Sequence, residues 1–497
     1  MKQKVVIIGS GMGGLSCGVI LAKNGYQVSV LEQGTQLGGC LQCFTRKGAK
    51  FETGMHFIGS ASKGQTLYRL LKYLGVMDRV KLSQLNPDAY EVLSINGSRH
   101  SFATGRERFV ETLAKDFPDQ RRNLETLCDI IEQVASASSL HSLKHTETDE
   151  ALNPEYQLQT IDEVVDKVIT DPLLAKVLVG NLPLFAAEKG KTPFSTYAFV
   201  MDFYNQSAYR VVGGSDAIAN ALVEELLQLG GKVYTRHKVV SIDCDDTHAT
   251  GVTCADGTSF DADYVICDTH PARMIEMVKS PLLRPAYRHR VEALRNTVGG
   301  FSVYLRFKPG SLRYMNYNFY GYHQGSPWGC ENYTDANWPM GYLYMHFCSE
   351  DQQEWAESGV ILSYMRMEEV ERWKGTRVGH RGEDYEAFKR DRAERLIDAL
   401  EQDMPGIRRH IAEYYTSTPL TYLDYTGTEG GSMYGIAKDV TMGPAARIHH
   451  RTKIPNLLLT GQNINSHGIL GVLVGTMVTC GELITSEEIF RQIVHGQ

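Results

Sequence analysis

The sequence predicts an α/β fold built on a parallel β-sheet, and two stretches of the chain support that prediction. The first runs from Lys4 to Glu32 in the order apolar strand, glycine-rich turn, apolar helix and second strand. The second is a short apolar strand at residues 457–459, followed by a glycine-spaced helix that starts near Gly468. Because parallel strands need a crossover connection, usually a helix, this order of elements is typical of a parallel sheet.

Length, composition and charge narrow the class of protein. The chain has 497 residues, of which 42% are hydrophobic and 22% charged, and a chain of this length more often forms two domains than one. The net charge is −7 and no dense basic run is present, which argues against nucleic acid as a partner. No run of eighteen apolar residues predicts a membrane-spanning helix.

The N-terminal residues and the cysteines bear on the cellular location of the protein and on disulfide or metal sites. The first apolar run follows Lys2 and Lys4, as in a signal peptide, but its glycines fall at phosphate-binding spacing. We therefore interpret the run as structure and expect a cytoplasmic protein. The ten cysteines are scattered, and the pair Cys40-x-x-Cys43 lacks the second pair that a zinc site needs. Neither a disulfide framework nor a metal site is predicted.

The glycine-rich turn Gly9-x-Gly11-x-x-Gly14 has the spacing of a dinucleotide-binding unit. Its first glycine permits a tight turn, the second lets the backbone approach a diphosphate, and the third lets helix and strand pack closely. The N-terminus of the helix would favour the diphosphate. Glu32, eighteen residues after Gly14, would accept hydrogen bonds from ribose hydroxyls. An acid there disfavours a 2′-phosphate, so the site suits FAD or NAD better than NADP.

The middle of the chain predicts a return to the α/β core and then a separate, aromatic region. Near residues 212–216 the chain re-enters the core, a strand at 232–234 leads into a three-stranded meander, and Asp256-Gly257 predicts a hairpin turn. The apolar segment 173–203 is consistent with a lipid-sized cavity, a membrane-facing surface or a buried helical core. Residues 314–347 hold eleven aromatics in thirty-four positions. Strand alternation there puts three side chains on one face: Tyr342, Tyr344 and His346. That face is consistent with the wall of a substrate cavity or with an ordinary packed sheet.

Taken together, seven motifs resemble those of the phytoene-desaturase-like FAD oxidoreductases, and most closely the retinol saturase and carotenoid isomerase branch. They are Val5–Glu32, Gly38-Gly39, residues 52–59, residues 210–215, Val239, Tyr434-Gly435 and residues 460–471. The resemblance covers nearly the whole chain and implies FAD as the cofactor. The cofactor-binding residues that it implies are Gly9, Gly11, Met12, Gly13, Gly14, Glu32, Gln33, Gly38, Gly39, Cys40, Met55, His56, Val239, Gly461, Gln462, Gly468, Ile469 and Leu470.

The resemblance also implies the architecture. We expect a Rossmann-like FAD-binding domain of the glutathione reductase-like or amine oxidase type, with an inserted α+β substrate domain. The discontinuous FAD-binding domain is expected at residues 1–75, 205–290 and 410–497. The substrate domain is expected at residues 76–204 and 291–409.

The activity that the resemblance implies is saturation, desaturation or isomerisation of carbon–carbon double bonds in an apolar polyene or isoprenoid such as a retinoid or carotenoid. Hydride would pass at flavin N5, and His56 and His467 are the candidates for the catalytic proton or for hydrogen bonds to the flavin. Asn463 departs from the family pattern, since retinol saturases carry an acid there. The expected partners are an apolar small molecule, an unidentified electron donor or acceptor, and a membrane surface touched peripherally.

Two other functions share this architecture. A flavin amine oxidase would have the same FAD domain with an aromatic cage at the flavin, which the sequence does not place. A prenyl-lipid-binding protein of the GDP-dissociation-inhibitor type would perform no redox chemistry. The intact Gly9, Gly11, Gly14 and Glu32 argue against the second alternative.

Overall fold

Two β-sheets organise the computed structural model, which describes residues 2–143, 154–349 and 354–495. The strands are β1 (Lys4–Ile8), β2 (Gln27–Leu31), β3 (Cys43–Arg46), β4 (Ala49–Glu52), β5 (Ile58–Gly59), β6 (Leu82–Gln84), β7 (Glu91–Ile95), β8 (Ser98–Phe102), β9 (Ala208–Val211), β10 (Lys232–Tyr234), β11 (Val239–Cys244), β12 (Ala249–Cys254), β13 (Ser259–Asp261), β14 (Tyr264–Cys267), β15 (Gly299–Phe307), β16 (Asn318–Tyr322), β17 (Tyr342–Phe347), β18 (Ser358–Met365), β19 (Ile411–Ser417) and β20 (Leu457–Leu459). The α-helices are α1 (Met12–Lys23), α2 (Thr66–Tyr73), α3 (Arg106–Asp116), α4 (Arg121–Ser136), α5 (Ser139–Ser142), α6 (Pro154–Leu158), α7 (Ile161–Val168), α8 (Pro172–Leu178), α9 (Phe194–Gln206), α10 (Asp216–Gln228), α11 (Pro271–Met277), α12 (Pro285–Glu292), α13 (Glu383–Asp403), α14 (Pro419–Thr426), α15 (Gly468–Cys480) and α16 (Ser486–His495).

The first sheet is parallel throughout and has the strand order β10-β2-β1-β14-β20. Along β1, Val5 and Ile7 pack into one hydrophobic cluster with α1 and α15, and Val6 and Ile8 pack into another with the meander β11–β12–β13. A strand buried on both faces must be apolar at every position, which explains the uninterrupted run of β1. The predicted parallel sheet is therefore present.

One local prediction for this region needs correction. The meander β11–β12–β13 and its turn at Asp256-Gly257 are present. The strand at 232–234, however, does not lead into the meander but forms the edge strand β10 of the parallel sheet, where Val233 pairs with Val30. Its backbone groups are satisfied by β2, which the preceding helix α10 brings within reach.

The second sheet is mixed and has the order β19-β15-β18-β17-β16-β7-β8, in which β16 and β7 are parallel and the other pairs antiparallel. One large hydrophobic cluster joins it to helices α3, α4, α7, α8 and α9. Of the interpretations of segment 173–203, a buried helical core agrees with α9, where Phe194, Tyr197 and Met201 are buried. Among helices of the described ranges, none is both long and apolar enough to cross a bilayer.

The domain boundaries stay a prediction. At one place the predicted boundaries do not follow the strand pairing of the sheets. Residues 410–497 were expected in the FAD-binding domain, whereas β19, at 411–417, pairs with β15 in the mixed sheet. The small sheet β5–β9–β6 carries the chain between the two large sheets, and Ile58 pairs there with Tyr209. It places residues 56 and 210 side by side.

Candidate functional site

The turn between β1 and α1 has the geometry that its glycines predict. Gly9 has a φ of +101° and donates its N–H to the carbonyl of Leu31 at 2.8 Å, so the turn is bound to the end of β2. A Cβ on Gly14 would overlap the carbonyl oxygen of Gly9, which only glycine avoids. The N-terminus of α1 therefore lies directly against the end of β1.

The predicted ribose acid lies at the edge of this turn. One oxygen of Glu32 accepts hydrogen bonds from Ser10 Oγ at 2.6 Å and Ser10 N at 3.1 Å, and the other accepts from Gly34 N at 2.7 Å. The backbone of Glu32 accepts from His237 N at 2.8 Å, which brings the start of β11, Val239, to the same edge. Glu32 and the residues that lead into Val239 thus meet at this edge, where the adenosine is predicted to bind.

A second glycine turn and the C-terminal motif close over the first. Gly39, with φ +55°, approaches Gly11 so closely that a Cβ on it would lie 3.2 Å from the Cα of Gly11. A Cβ on Gly13 would lie 3.0 Å from the backbone of Gly461, and α15 packs along α1. The three motifs, far apart in sequence, form one backbone-lined cradle.

The remaining predicted cofactor residues lie around this cradle. The structure buries Met12, Ile469 and Leu470, partly buries Cys40, Met55 and Gln462, and exposes Gln33. Gly38, with φ +107°, precedes a short turn at 39–41, and Gly468, with φ +72°, begins α15. Burial raises the pKa of the Cys40 thiol to about 11, which keeps it protonated and makes it a structural thiol rather than a nucleophile.

Asp268, which directly follows β14, was not among the predicted site residues. Its carboxylate Oδ2 accepts the N–H of Gly14 at 2.7 Å, at the N-terminus of α1. Burial and the negative charge of Glu32 raise the pKa of Asp268 to about 7, against the lowering effect of the Gly14 and Gly11 N–H groups. An acid placed directly after a central strand of a parallel sheet was the available signal, since ligands bind at that edge.

The residues present fit FAD. The glycine cradle leaves room for backbone to approach a diphosphate, and the carboxylate already bound by Gly14 N–H demonstrates that this helix N-terminus accepts an anion. A bound FAD would be held by the turn at 9–14, Glu32, the turn at 38–39, Val239 and the segment 461–470. The individual assignments stay predictions.

Asn463, which departs from the family pattern, has a structural partner. Its side-chain oxygen accepts the N–H of Ile436 at 3.0 Å. A Cβ on Gly435 would overlap that oxygen, so the turn at 434–435 and the C-terminal motif are joined through Asn463.

His56 and His467, the two candidates for the proton, lie in different surroundings. The Nδ1 of His56 is 3.4 Å from the buried carboxylate of Glu52. The backbone carbonyl of His56 accepts a hydrogen bond from the buried Arg210 at 3.1 Å. His467 directly precedes α15, and its ring packs against that of Tyr434, with ring centroids 5.0 Å apart. Burial and the nearby charge of Lys438 lower the pKa of His467 to about 3, so its imidazole is neutral at physiological pH.

Lys438 is a second residue that the sequence did not single out. It lines a small cavity together with His467, Glu188, Thr192 and Thr297. The cavity volume is about 10 Å³, which is room for about one water molecule. Burial and the positive charge of Arg447 lower the pKa of Lys438 to about 8. The Lys438 ammonium is 3.5 Å from the backbone oxygen of Asn463.

The predicted cavity wall on β17 is a packed part of the mixed sheet. Tyr342, Tyr344 and His346 share one strand face as predicted, and all three are buried. Tyr342 donates to Asp403 at 2.5 Å, Tyr344 hydrogen-bonds His346, and His346 Nδ1 accepts from Met315 N at 3.1 Å. None of the three lines the cavity at Lys438.

Two of the buried ionisable groups bind to the mixed sheet: Glu91, which lies on β7, and Arg210, which reaches β16 from β9 of the small sheet. Glu91 accepts hydrogen bonds from Tyr320 Oη at 2.8 Å and Asn181 Nδ2 at 3.4 Å, and burial raises its pKa to about 7. Arg210 donates to Tyr314 Oη at 3.2 Å and Asn318 Oδ1 at 2.8 Å, besides the carbonyl of His56. Both groups are held by side-chain hydrogen bonds between segments distant in sequence.

Comparison with known proteins agrees with the fold. An oxidoreductase structure from Methanosarcina mazei superposes with a TM-score of 0.66, covering 96% of this chain and 99% of that one at 16% identity. The all-trans-retinol 13,14-reductase of Rattus norvegicus is 26% identical over 99% of this chain and 87% of its own length. Prolycopene isomerase 1 of an Oncidium hybrid cultivar is 24% identical over 95% of this chain and 82% of its own length.

The family itself is assigned by a sequence profile that matches most of the chain. The profile described as flavin containing amine oxidoreductase matches residues 12–373. This match confirms the predicted Rossmann-like FAD fold, the predicted cofactor FAD and the prediction of an oxidoreductase. The relatives confirm the predicted resemblance to retinol saturases and carotenoid enzymes. The chain therefore belongs to the flavin-containing amine oxidoreductase family.

Proposed function

We propose that this flavoenzyme adds hydrogen to, or removes it from, a carbon–carbon double bond of an apolar polyene or isoprenoid, such as a retinoid or carotenoid. The observation that carries the proposal is the extent of the similarity to a retinol 13,14-reductase, which spans 99% of the chain. The likeness therefore includes the mixed sheet and its helices, where substrate contacts are expected, and is not limited to the FAD motif.

The chemistry divides between the cofactor and the chain. Bound FAD supplies two-electron hydride exchange. The chain supplies a dry, oriented site, and a proton must be held near the reacting bond. Lys438 suits that role, since its pKa of about 8 is close to physiological pH, whereas His467 is neutral at that pH and is better suited to orienting a group or relaying a proton. His56, beside Glu52, remains the other candidate.

The proposal extends to the cellular location and the partners of the protein. The substrate is water-insoluble, so we propose that the enzyme is cytoplasmic and meets its substrate at a membrane surface without spanning it. The electron donor or acceptor is a further partner of unassigned chemistry.

A reoxidation assay tests the proposed function. The purified protein is reduced anaerobically by light and then mixed with retinoid, carotenoid and primary amine panels while the visible flavin spectrum is followed. We expect a polyene to reoxidise the flavin and to gain two hydrogens by mass spectrometry. Reduction of the oxidised enzyme by amines, with no response to polyenes in either direction, would assign an amine oxidase instead. Protein that releases no flavin on denaturation would refute both assignments.

A further inference from the structure

The carboxylate of Asp268 lies in the cradle formed by the three glycine motifs. Its Oδ2 accepts the Gly14 N–H at 2.7 Å. A Cβ on Gly11 or on Gly13 would lie 2.7 Å from one of its oxygens, and a Cβ on Gly461 would overlap the carboxylate. One acidic side chain therefore meets the glycine turn, the start of α1 and the C-terminal motif at once.

The charges around Asp268 make this position unfavourable for a second anion. Glu32 on β2 is the nearby charge that acts on it, and the thiols of Cys40 and Cys267 are the other titratable groups that its charge affects. The charges acting on Asp268 within the described part of the chain include no cation. A diphosphate carries two negative charges, and like charges a few ångströms apart in a buried site repel strongly.

We infer that Asp268 determines the affinity for FAD, because its carboxylate holds the anion position that the diphosphate needs, and that FAD binding is therefore coupled to uptake of one proton by Asp268. Neutral Asp268 can stay beside the diphosphate as a hydrogen-bond donor, whereas the ionised carboxylate opposes it. The inference concerns the cofactor site and does not depend on the identity of the substrate.

The direction of the pH dependence follows from the pKa of about 7 in the FAD-free protein. Below pH 7 Asp268 is already protonated, so affinity changes little with pH. Above pH 7 each FAD bound requires a proton, so Kd rises by up to about tenfold for each pH unit. The pKa of Cys40 and of Cys267 is raised to about 11, so neither thiol titrates in this window.

The test is a titration of the full chain, freed of FAD, with FAD at pH 6, 7 and 8. We expect the wild-type Kd to be about tenfold higher at pH 8 than at pH 6, and about fivefold higher than at pH 7, where Asp268 is half ionised. Asp268→Asn should bind with a Kd that does not change with pH and, at pH 8, is about tenfold lower than that of the wild type. Asp261→Asn is the matched control, since it removes one negative charge from an exposed side chain and should follow the wild type.

Proton uptake provides an independent readout. Calorimetric titrations at pH 8 in two buffers of different ionisation enthalpy should give close to one proton taken up per FAD for the wild type and none for Asp268→Asn. Thermal unfolding of the FAD-free variants identifies any loss of folding. Weaker FAD binding by a folded Asp268→Asn variant at pH 8, or the same pH dependence in variant and wild type, would overturn the inference.

Discussion

The parallel sheet and the mixed sheet differ in the kind of contact that fixes the residues around them. Around the parallel sheet the decisive contacts are made by backbone atoms, since glycines 9, 14, 39 and 461 let main chain approach main chain. In the mixed sheet, whose strands pair through backbone, the buried polar side chains are satisfied by one another, such as Glu91 by Tyr320. Backbone contacts demand glycine at fixed spacing and so are visible in a sequence, whereas side-chain contacts between distant segments are not.

The strongest test of this contrast is Gly14→Val. The new side chain would overlap the Gly9 carbonyl and separate α1 from β1, so we expect loss of bound flavin, with FAD affinity reduced more than a hundredfold. Flavin released on denaturation, per mole of protein, measures the effect. The control is Gly475→Ala in α15, where the nearest atom to a new Cβ is at 3.4 Å and flavin should be retained. Full flavin content in Gly14→Val would mean that the cradle is not built by close backbone approach.

Removing the buried charge of Arg210, which bonds the mixed sheet from β9, should act on stability rather than on flavin content. Arg210→Met removes three hydrogen bonds and leaves Asn318 Oδ1 without its donor, so we expect a loss of about 2–4 kcal/mol in unfolding free energy. Urea denaturation measures it. Arg313→Met, whose side chain is 73% exposed, should change stability by less than about 0.5 kcal/mol. Equal effects of the two variants would contradict the role given to Arg210.

Glu91 predicts a specific pH dependence of stability. Its folded pKa of about 7 exceeds the unfolded value, so its contribution is fully present below about pH 4.5 and is lost as the pH rises to about 7. Glu91→Gln should remove that loss and stabilise the protein at pH 8 by roughly 2–3 kcal/mol relative to wild type, with little difference at pH 4.5. Denaturant unfolding at both pH values measures it, with the exposed Glu276→Gln as the control. A difference that does not change with pH would refute the buried-acid explanation.

The smallest effect is expected at Lys438. Burial disfavours its charged form, so Lys438→Met should stabilise the protein at pH 7 by about 1 kcal/mol, once its partial exposure is allowed for. The same variant should lose the group that titrates near pH 8 from the pH profile of flavin reoxidation. A gain in stability with an unchanged pH profile would exclude Lys438 as the proton source.

The features that could be predicted from the sequence are those set by local periodicity or by glycine, and those that could not depend on side chains from distant segments. The strands and helix between Lys4 and Glu32, the Asp256-Gly257 turn and the start of α15 were predicted because each depends on local periodicity or on glycine. The strand face of Tyr342 and Tyr344 was predicted, but their burial depends on α13, since Tyr342 bonds Asp403 there. Asp268 and Lys438 were missed because their surroundings are built by segments distant in sequence. For Lys438 no local signal was present.

The strand order of the parallel sheet has a consequence for biosynthesis. β1 is synthesised about 250 residues before its neighbour β14, and β20 and Gly461 follow almost 200 residues after that. Such high contact order slows folding, and it leaves the edge of β1 opposite β2 without its neighbour until β14 has been made. The nascent chain therefore cannot complete its flavin cradle until Gly461 has been synthesised, about 450 residues after the first glycine turn, so FAD can stabilise the fold only late in synthesis.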